Sequence, residues 1–341
     1  MVKKRKSNER RKLAVKIIEP KSMYLTTKGV HPYQFMEKVG RICYKSEKNI
    51  TEDSAVKFIT GLKKSNHTAM LEHSHIILNV DSELASKLIH TLYTSSISDN
   101  NNYSPAIKYF NITNLGSTYI ISGSFRSFLS LVNIDDESIK YVLSSLHTKY
   151  PELFSVVKPI KNTELITIFD STDEFIKYVR KLSNINDLNT VLSKHITHTV
   201  VFTCDRGVTH EFVRHRPASF AQESTRYCNY SKDKYGNEIT VIKPCFFEKD
   251  SKEYEIWKNS CECAEKAYLE LLNLGCSAQQ ARDVLPTSVK TELVITATEE
   301  EWQHIINLRY HGTTGAPHPQ IVQSMTMCYN DLIKHSNNRL K

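Results

Sequence analysis

The residues with the clearest chemical potential lie in the stretch RHRPASFAQESTRYC, at positions 214–228. Arg214 and Arg216 flank His215, and after a proline the chain presents Ser224 and Arg226. Cations near the C-terminal end of a helix complement its dipole. This explains why the stretch is positively charged, but not why so many cationic residues lie so close together. Phosphate binding explains both, because a planar guanidinium grips phosphate oxygens with two parallel hydrogen bonds. Since the proline turns the chain, we expect Ser224 and Arg226 to face the same hollow.

Two further arginines lie where a surface charge is not the only interpretation. Arg309 follows Trp302 and Ile305 or Ile306 at helical spacing, so it projects from the apolar face of its helix. It either extends past the end of that face into solvent or is held in a dry pocket, where it would bind or polarise an anionic or carbonyl-bearing ligand. Arg282 lies in a predicted short helix, and it is either an ordinary surface charge or a second ligand-binding arginine.

Other kinds of site find less support in the sequence. Ser224 lacks a GxSxG context and an identifiable base, so a phosphate-binding hydroxyl is favoured over a nucleophile. A metal site built from histidines has no supporting ligand spacing, and no GxGxxG or GxxxxGK[ST] motif follows a strand. The residues alone therefore predict a pocket for phosphorylated, nucleotide-like ligands, with the reaction left open. A nucleic-acid-binding protein that uses a basic tail and a metal-dependent nucleotide hydrolase are the alternatives.

Local patterns predict the elements that position these residues. HTVVFTCD at 198–205 is rich in β-branched residues and is typical of a strand, and Asp205 is expected to cap a helix from Arg206 to about Arg216. EHSHIILNV alternates as a strand does, which puts His73 and His75 on one face. Later signals predict a helix at about 253–274, a short helix opened by Ser277 and Gln280, a strand at 291–298, a helix opened by Thr298 and Glu301 and reaching about Tyr310, and a last helix from Pro319 to about His335.

Composition limits the class of protein. The chain has 341 residues, 40% of them hydrophobic and 24% charged, which favours a globular protein with a sizeable core. Its net charge of +8 is concentrated in the first 12 residues, so we expect a basic, disordered tail at 1–15. No apolar run is long enough for a membrane span, and eight scattered cysteines indicate a reducing cytoplasm.

A change in residue composition along the chain also predicts its domain organisation. Residues 81–196 are rich in Ser and Asn and interrupt two better-patterned regions. We therefore expect a catalytic, ligand-binding core at 16–80 plus 197–336, with 81–196 as an inserted, mainly helical segment.

Five blocks give the chain a resemblance to a known family. The pattern R-H-R, seven residues, S, then TRY resembles the signature of flavin-dependent thymidylate synthases. It is accompanied in order by LEH at 71–73, ARDVLP at 281–286, INLRY at 306–310 and PHPQ at 317–320. The resemblance implies reductive methylation of dUMP to dTMP with 5,10-methylenetetrahydrofolate and NADPH, through bound FAD. It also implies an α/β (α+β) fold, with a mainly antiparallel sheet flanked by helices, and a homotetramer with shared active sites.

The resemblance also implies roles for particular residues. Arg309 matches the arginine placed against the pyrimidine, where its charge would favour ionisation at N3 and activate C5. The residues matched to dUMP binding are Glu211, Arg214, Gln222, Glu223, Ser224, Thr225, Arg226 and Arg282. The residues matched to FAD binding are His73, His75, Arg214, His215, Arg216, Gln222, His304 and His318. Three of these positions depart from the common pattern: Glu211 replaces a glutamine, Gln222 a glutamate and His304 an asparagine. No metal, membrane or nucleic-acid partner is expected.

Overall fold

The fold combines helices with mostly antiparallel sheets. The structure, a computed structural model, describes residues 15–99, 102–155, 164–182, 187–226, 228–232 and 238–341. Its strands are β1 (Lys16–Ile18), β2 (Lys21–Leu25), β3 (His75–Asp81), β4 (Ser96–Asp99), β5 (Asn102–Pro105), β6 (Phe110–Asn114), β7 (Thr118–Ser124), β8 (Ile166–Ile168), β9 (Thr197–Asp205), β10 (Ser219–Gln222), β11 (Thr240–Ile242) and β12 (Lys290–Thr298). The predicted fold class, a mainly antiparallel sheet flanked by helices, is confirmed.

Helices cover the sheets and connect them. They are α1 (Pro32–Tyr44), α2 (Ser54–Lys64), α3 (Ser82–Thr94), α4 (Phe125–Leu129), α5 (Glu137–Lys149), α6 (Pro151–Phe154), α7 (Thr172–Arg180), α8 (Leu188–His195), α9 (Arg206–Phe212), α10 (Lys252–Asn273), α11 (Ala278–Ala281), α12 (Glu299–Ile306) and α13 (Pro319–His335). None of the helices in the described ranges combines the length and the apolarity needed to cross a bilayer.

The central sheet has the strand order β10-β12-β9-β2, and all its neighbours are antiparallel. Alternate residues of β9 and β12 enter two different cores, as the period of a strand requires. Val201 and Val294 join the core shared with α1, whereas Val200 and Ile295 join the core under α12 and α13. The sheet is therefore covered on both faces, which suits strands such as β9 and β12, in each of which five of the nine residues are β-branched.

A second sheet has the order β6-β7-β3-β8 and is also antiparallel. The predicted strand EHSHIILNV was wrong at its start. Strand pairing begins only at His75, which lies opposite Ser124. The segment Thr68–His73 instead forms a 3-10 helix, so His73 and His75 do not share a strand face. The reason is tertiary: β7 supplies no ladder partner before His75, and the amide of Phe125 donates to the carbonyl of Ser74.

The described part of residues 81–196 contains both helices and the strands β4 to β8. Their apolar side chains do not form a wholly separate core, since Leu88, Phe125 and Phe154 belong to the same cluster as Tyr33 and Met36 of α1. The segment thus packs directly against the first helices of the chain. Its division from the rest as an inserted segment stays a prediction, and the predicted basic tail lies almost wholly outside the described residues.

Most predicted helix signals in the second half are confirmed. Asp205 caps α9 by accepting a hydrogen bond from Val208 N at 2.8 Å. That helix ends at Phe212, however, and not at Arg216 as predicted. Val213 and Arg214 form a turn, which His215 N closes by donating to Phe212 O at 3.0 Å. The helix therefore ends before Arg216, which precedes Pro217 and is disfavoured in the α conformation.

Helix α10 matches the predicted range within a residue, and α13 matches both of its predicted ends. Gly275, at a φ of +93°, follows α10 in the left-handed region that glycine tolerates. The residues that start and end these helices act within about one helical turn, so the local sequence is enough to determine the helix ends.

Candidate active site

Arg309 lies in a π-helical turn, Asn307–His311, that continues α12. Trp302 and Ile305 on the same helix are fully buried, which confirms that its inward face is apolar. The turn ends at Gly312 with a φ of +68°, where an added Cβ would lie 2.8 Å from Pro317 Cδ. The guanidinium is therefore held at a fixed place at the edge of the core, and only 17% of its side chain is exposed.

Three polar contacts hold the Arg309 guanidinium. Its Nη1 donates to Glu211 Oε2 at 2.8 Å, its Nη2 to the Glu211 carbonyl at 3.2 Å, and its Nε to His215 Nε2 at 3.1 Å. The INLRY block thus meets the RHR block, although the two partners of the last contact lie 94 residues apart. Of the five N–H donors of the guanidinium, these contacts use three, and in the described part of the chain no other contact uses the remaining two.

The hydrogen bonds of His215 define its protonation pattern. Because Arg309 Nε can only donate, His215 Nε2 must accept, and the ring proton must lie on Nδ1. Nδ1 in turn faces Glu301 Oε1 at 3.2 Å, which is an acceptor. With 4% of its surface exposed, His215 is a buried neutral imidazole oriented from both sides.

His215, Glu301 and His304 form a group that could hold a metal ion, since one ligand atom from each lies within 4.8 Å of the others. The hydrogen-bond pattern opposes this use. A metal on His215 Nδ1 would replace the proton shared with Glu301 and put a proton on Nε2, which would then face the Arg309 donor. The rings of His215 and His304 meet edge to face at 5.5 Å, so His304 borders the same hollow.

A second group of predicted ligands lies around the turn that follows β10. Ser224 Oγ accepts from Arg226 N at 3.3 Å, and Arg226 Nε donates to Gln279 Oε1 at 3.2 Å. Gln279 belongs to α11, and this helix ends directly before Arg282. The side chain of Arg282 is 40% exposed. The structure therefore brings Ser224 and Arg226 to the helix that precedes Arg282, as a cationic group distinct from the contacts of Arg309.

Gln222 and Glu223 point into the protein and not into open solvent. Gln222 Nε2 donates to Thr209 Oγ1 at 3.1 Å, which ties β10 to α9. The Glu223 carboxylate accepts from Lys290 Nζ at 2.9 Å, with 2% of its side chain exposed. Thr225 is also largely buried and accepts from Arg206 Nη2 at 3.4 Å.

The two histidines near the LEH block are surrounded by protein. His73 is 1% exposed, and its Nδ1 contacts Thr296 Oγ1 at 2.8 Å on the central sheet. Burial, followed by the proximity of His75, lowers the pKa of His73 from 6.5 to about 3. Burial alone lowers the pKa of His75 to about 4. A hydrogen bond between His73 and the backbone of Phe220 opposes the lowering of its pKa, whereas His75 Nδ1 is buried without a partner within the described residues.

The remaining predicted ligands, Arg214, Arg216, His304 and His318, are exposed. His318 packs edge to face against Phe246 with ring centroids 5.4 Å apart. Its neighbour Gln320, in the PHPQ block, donates to Asp205 Oδ2 at 2.7 Å and so ties α13 to the cap of α9. The ligand roles of all these residues stay predictions.

Sequence reasoning missed several residues that shape the site. Glu301 was expected to complete a capping box with Thr298; Thr298 does cap α12, but the Glu301 carboxylate faces His215. Its spacing of three residues from His304 was the available signal. Lys290 and Arg206 carried no local signal, because their partners are distant in the sequence.

The fold and these contacts define a mixed α/β protein with an arginine-rich candidate site, and comparison with known proteins gives its family. The family model described as "Thymidylate synthase complementing protein" matches residues 130–334, more than half of the chain. The chain belongs to this family, which confirms the predicted resemblance; four of the five blocks lie within the matched residues, and LEH at 71–73 lies outside them.

Individual relatives match over shorter segments. A flavin-dependent thymidylate synthase from Pyrococcus furiosus is 36% identical over 117 residues, which are 34% of this chain and 47% of that protein. One from Geobacter sulfurreducens is 30% identical over 104 residues, 30% of this chain and 43% of that protein. The matched segments thus span a little less than half the length of these relatives.

A solved structure also aligns with the chain. It is the UMP/dUMP methylase PolB from Streptomyces cacaoi bound with 5-Br dUMP, at 18% sequence identity and a TM-score of 0.35. The alignment covers 57% of this chain and 84% of that one. A TM-score this low supports no argument about fold or function.

Proposed function

We propose that this chain is a FAD-dependent thymidylate synthase. It moves the methylene carbon of 5,10-methylenetetrahydrofolate to C5 of dUMP, NADPH supplies two electrons, and the products are dTMP, tetrahydrofolate and NADP⁺. The observation that carries the proposal is the hydrogen bond from Arg309 Nε to His215 Nε2, which joins two blocks of the family signature in one site.

In this proposal, Arg309 acts on the pyrimidine. Its largely buried guanidinium keeps two N–H donors for a ligand and stabilises negative charge that develops on the ring. Glu211 and His215 already hold the guanidinium through three of its N–H groups, so little reorientation is needed when the nucleotide binds. Ser224, Arg226 and Arg282 supply a hydroxyl and two cations for the phosphate.

The residues present also fit a flavin. The Nδ1 atom of His75 is buried without a hydrogen-bond partner in the described part of the chain, and the low pKa of this histidine keeps its ring neutral. Such an atom is expected to meet a polar group of a ligand, because an unsatisfied buried nitrogen costs free energy. The proposed flavin-binding residues are His73, His75, Arg214, His215, Arg216, Gln222, His304 and His318. Bound FAD would supply the hydride chemistry.

We further propose a homotetramer that works in the cytoplasm. Several proposed ligands, such as Arg214, Arg216 and His318, are exposed on the single chain, so a neighbouring copy could enclose the ligands they bind. Five of the eight cysteines are buried, namely Cys43, Cys204, Cys228, Cys261 and Cys328, and buried, scattered cysteines suit a reducing compartment.

The experiment that tests the function is a tritium-release assay with 5-tritiated dUMP. We expect the purified full chain to be yellow and to show the absorbance band of a flavin. It should release tritium from the labelled dUMP only when NADPH and 5,10-methylenetetrahydrofolate are both present. Omitting each co-substrate in turn is the control. A protein that takes up no FAD and releases no tritium would overturn the proposal.

A further inference from the structure

A buried network of four charged side chains lies beneath the turn at 224–226. Lys290 Nζ lies 2.9 Å from Glu223 Oε2 and 3.1 Å from Glu292 Oε1. Lys45 Nζ contacts the Glu292 carboxylate as well, and lies 3.8 Å from Glu223 Oε2. Two cations thus face two anions, and each of the four side chains is at most 20% exposed.

The charges of this network depend on one another. Burial acts to lower the pKa of Lys290, but the carboxylates of Glu223 and Glu292 outweigh it and raise that pKa. Burial acts to raise the pKa of Glu292, and Lys290 with Lys45 outweighs it in the opposite direction. A buried charge that loses its partner is strongly destabilised, so the four residues are expected to hold one arrangement together.

The network is connected to the turn through the backbone of Glu223. Glu223 N donates to Glu292 O at 2.9 Å, which extends the pairing of β10 with β12 by one residue. From the other side, Arg206 Nη2 donates to Glu223 O at 3.2 Å and to Thr225 Oγ1 at 3.4 Å. Both the main chain and the side chain of Glu223 are therefore fixed where the chain leaves the sheet.

Lys45 has an unusual backbone for its part in this network. It follows α1 with a φ of +50°, in the left-handed region that favours glycine or asparagine. The helix could end there at lower conformational cost with glycine, which carries no ammonium group. The position of its Nζ between Glu292 and Glu223 gives the lysine a function that glycine lacks.

We propose that Glu223 is a positioning residue, which acts with Lys290 and Lys45 to fix the turn carrying Ser224 and Arg226. The inference rests on the proposed function for the identity of the nucleotide, and it revises the predicted role of Glu223 as a direct dUMP contact. The buried carboxylate sets where the serine hydroxyl and the arginine cation stand, and these two groups bind the nucleotide.

The test is Glu223→Gln in the full chain with FAD, with Glu270→Gln on the exposed face of α10 as the matched control. We expect KM for dUMP to rise about 10-fold, the effect of one lost charge-assisted hydrogen bond, while kcat changes by less than about 3-fold. The flavin absorbance band should be the same in both variants. Unchanged KM, or a loss confined to kcat, would overturn the proposal.

A second measurement does not depend on the reaction. Hydrogen exchange of backbone amides at 222–226 should be at least about 10-fold faster in Glu223→Gln than in the wild type, while α10 keeps its protection. The double variant Glu223→Gln with Lys290→Met restores charge balance, so it should recover thermal stability without recovering KM. If exchange of this turn is unaltered, the positioning role is wrong even in an active enzyme. If exchange accelerates but wild-type protein releases no tritium, only the proposed function fails.

Discussion

Arg309 Nε lies 3.1 Å from His215 Nε2, and this contact decides which nitrogen of the imidazole carries the proton. An arginine donates and cannot accept, so the proton of His215 is directed to Nδ1 and towards Glu301. A cation, a neutral histidine and two carboxylates, those of Glu211 and Glu301, therefore form one chain of contacts.

The first prediction concerns this tautomer. Nitrogen-15 NMR of protein with labelled histidine should show His215 as neutral at pH 7.5, with a protonated Nδ1 and an unprotonated Nε2. Glu301→Gln should shift the Nδ1 resonance, because a neutral amide oxygen is a weaker acceptor than a carboxylate. A protonated Nε2 in the wild type would contradict the contact with Arg309.

The second prediction concerns the guanidinium itself. Arg309→Lys keeps the positive charge but cannot contact Glu211 and His215 together, since an ammonium lacks the planar fork. We expect kcat/KM for dUMP to fall at least about 100-fold, roughly 2.7 kcal/mol of transition-state stabilisation. Arg180→Lys, an exposed arginine at the end of α7, is the matched control and should keep wild-type activity. Near-normal turnover in Arg309→Lys would show that the Arg309 guanidinium is not required for the reaction.

The third prediction concerns acid stability. His195 is 1% exposed between Thr113 Oγ1 and Ser122 Oγ, and burial, with a smaller contribution from Lys194, lowers its pKa from 6.5 to about 3. Between those two pH values the unfolded chain binds the proton and the folded chain does not. The free energy of unfolding should therefore fall as pH drops below 6.5, by up to about 1.4 kcal/mol per pH unit for this residue.

Urea denaturation between pH 7.5 and 5 measures this dependence. His195→Asn is expected to be less stable at pH 7.5, but its stability should depend less steeply on pH below 6.5, because one titrating group is gone. His73 and His75 act in the same direction, with folded pKa values of about 3 and 4, so some slope will persist. Equal slopes in variant and wild type would show that His195 is not buried as a neutral ring.

The fourth prediction concerns the C-terminal segment. Arg339 donates twice to the fully buried Glu299 carboxylate, at 2.7 and 2.6 Å, and His198 Nε2 lies 2.8 Å from it. Burial acts to raise the pKa of Glu299, but the hydrogen bonds from Arg339 and His198 outweigh it and lower that pKa. Arg339→Met leaves a poorly compensated buried charge and should cost about 3–5 kcal/mol of stability at pH 7.5.

The sign of its pH dependence gives a separate check. A lowered carboxyl pKa contributes stability above 4.5 that is lost as pH falls, so the deficit of Arg339→Met should shrink towards pH 4.5. The double variant Glu299→Gln with Arg339→Met should be more stable at pH 7.5 than Arg339→Met alone. Chemical denaturation of the three proteins supplies both comparisons, and a deficit that is constant with pH would contradict the ion pair.

The local sequence was enough to determine many elements of this protein. Helix α10, the cap at Asp205 and the start of α13 at Pro319 follow from signals within about one turn, where short-range hydrogen bonds and backbone preference act. The cluster of arginines and the order of the five blocks were equally visible, and they were enough to place the chain in its family.

Only the tertiary structure decided how the charged groups are paired. Glu223 and Lys290 lie 67 residues apart, and His215 and Glu301 are 86 apart, so no local pattern reveals either contact. The same holds for His73, which leaves its expected strand because its neighbours in space are β7 and the central sheet. Residue type set which charges were present, but burial and packing between distant elements selected their partners, because a charge removed from water must find its counterpart wherever the fold places it.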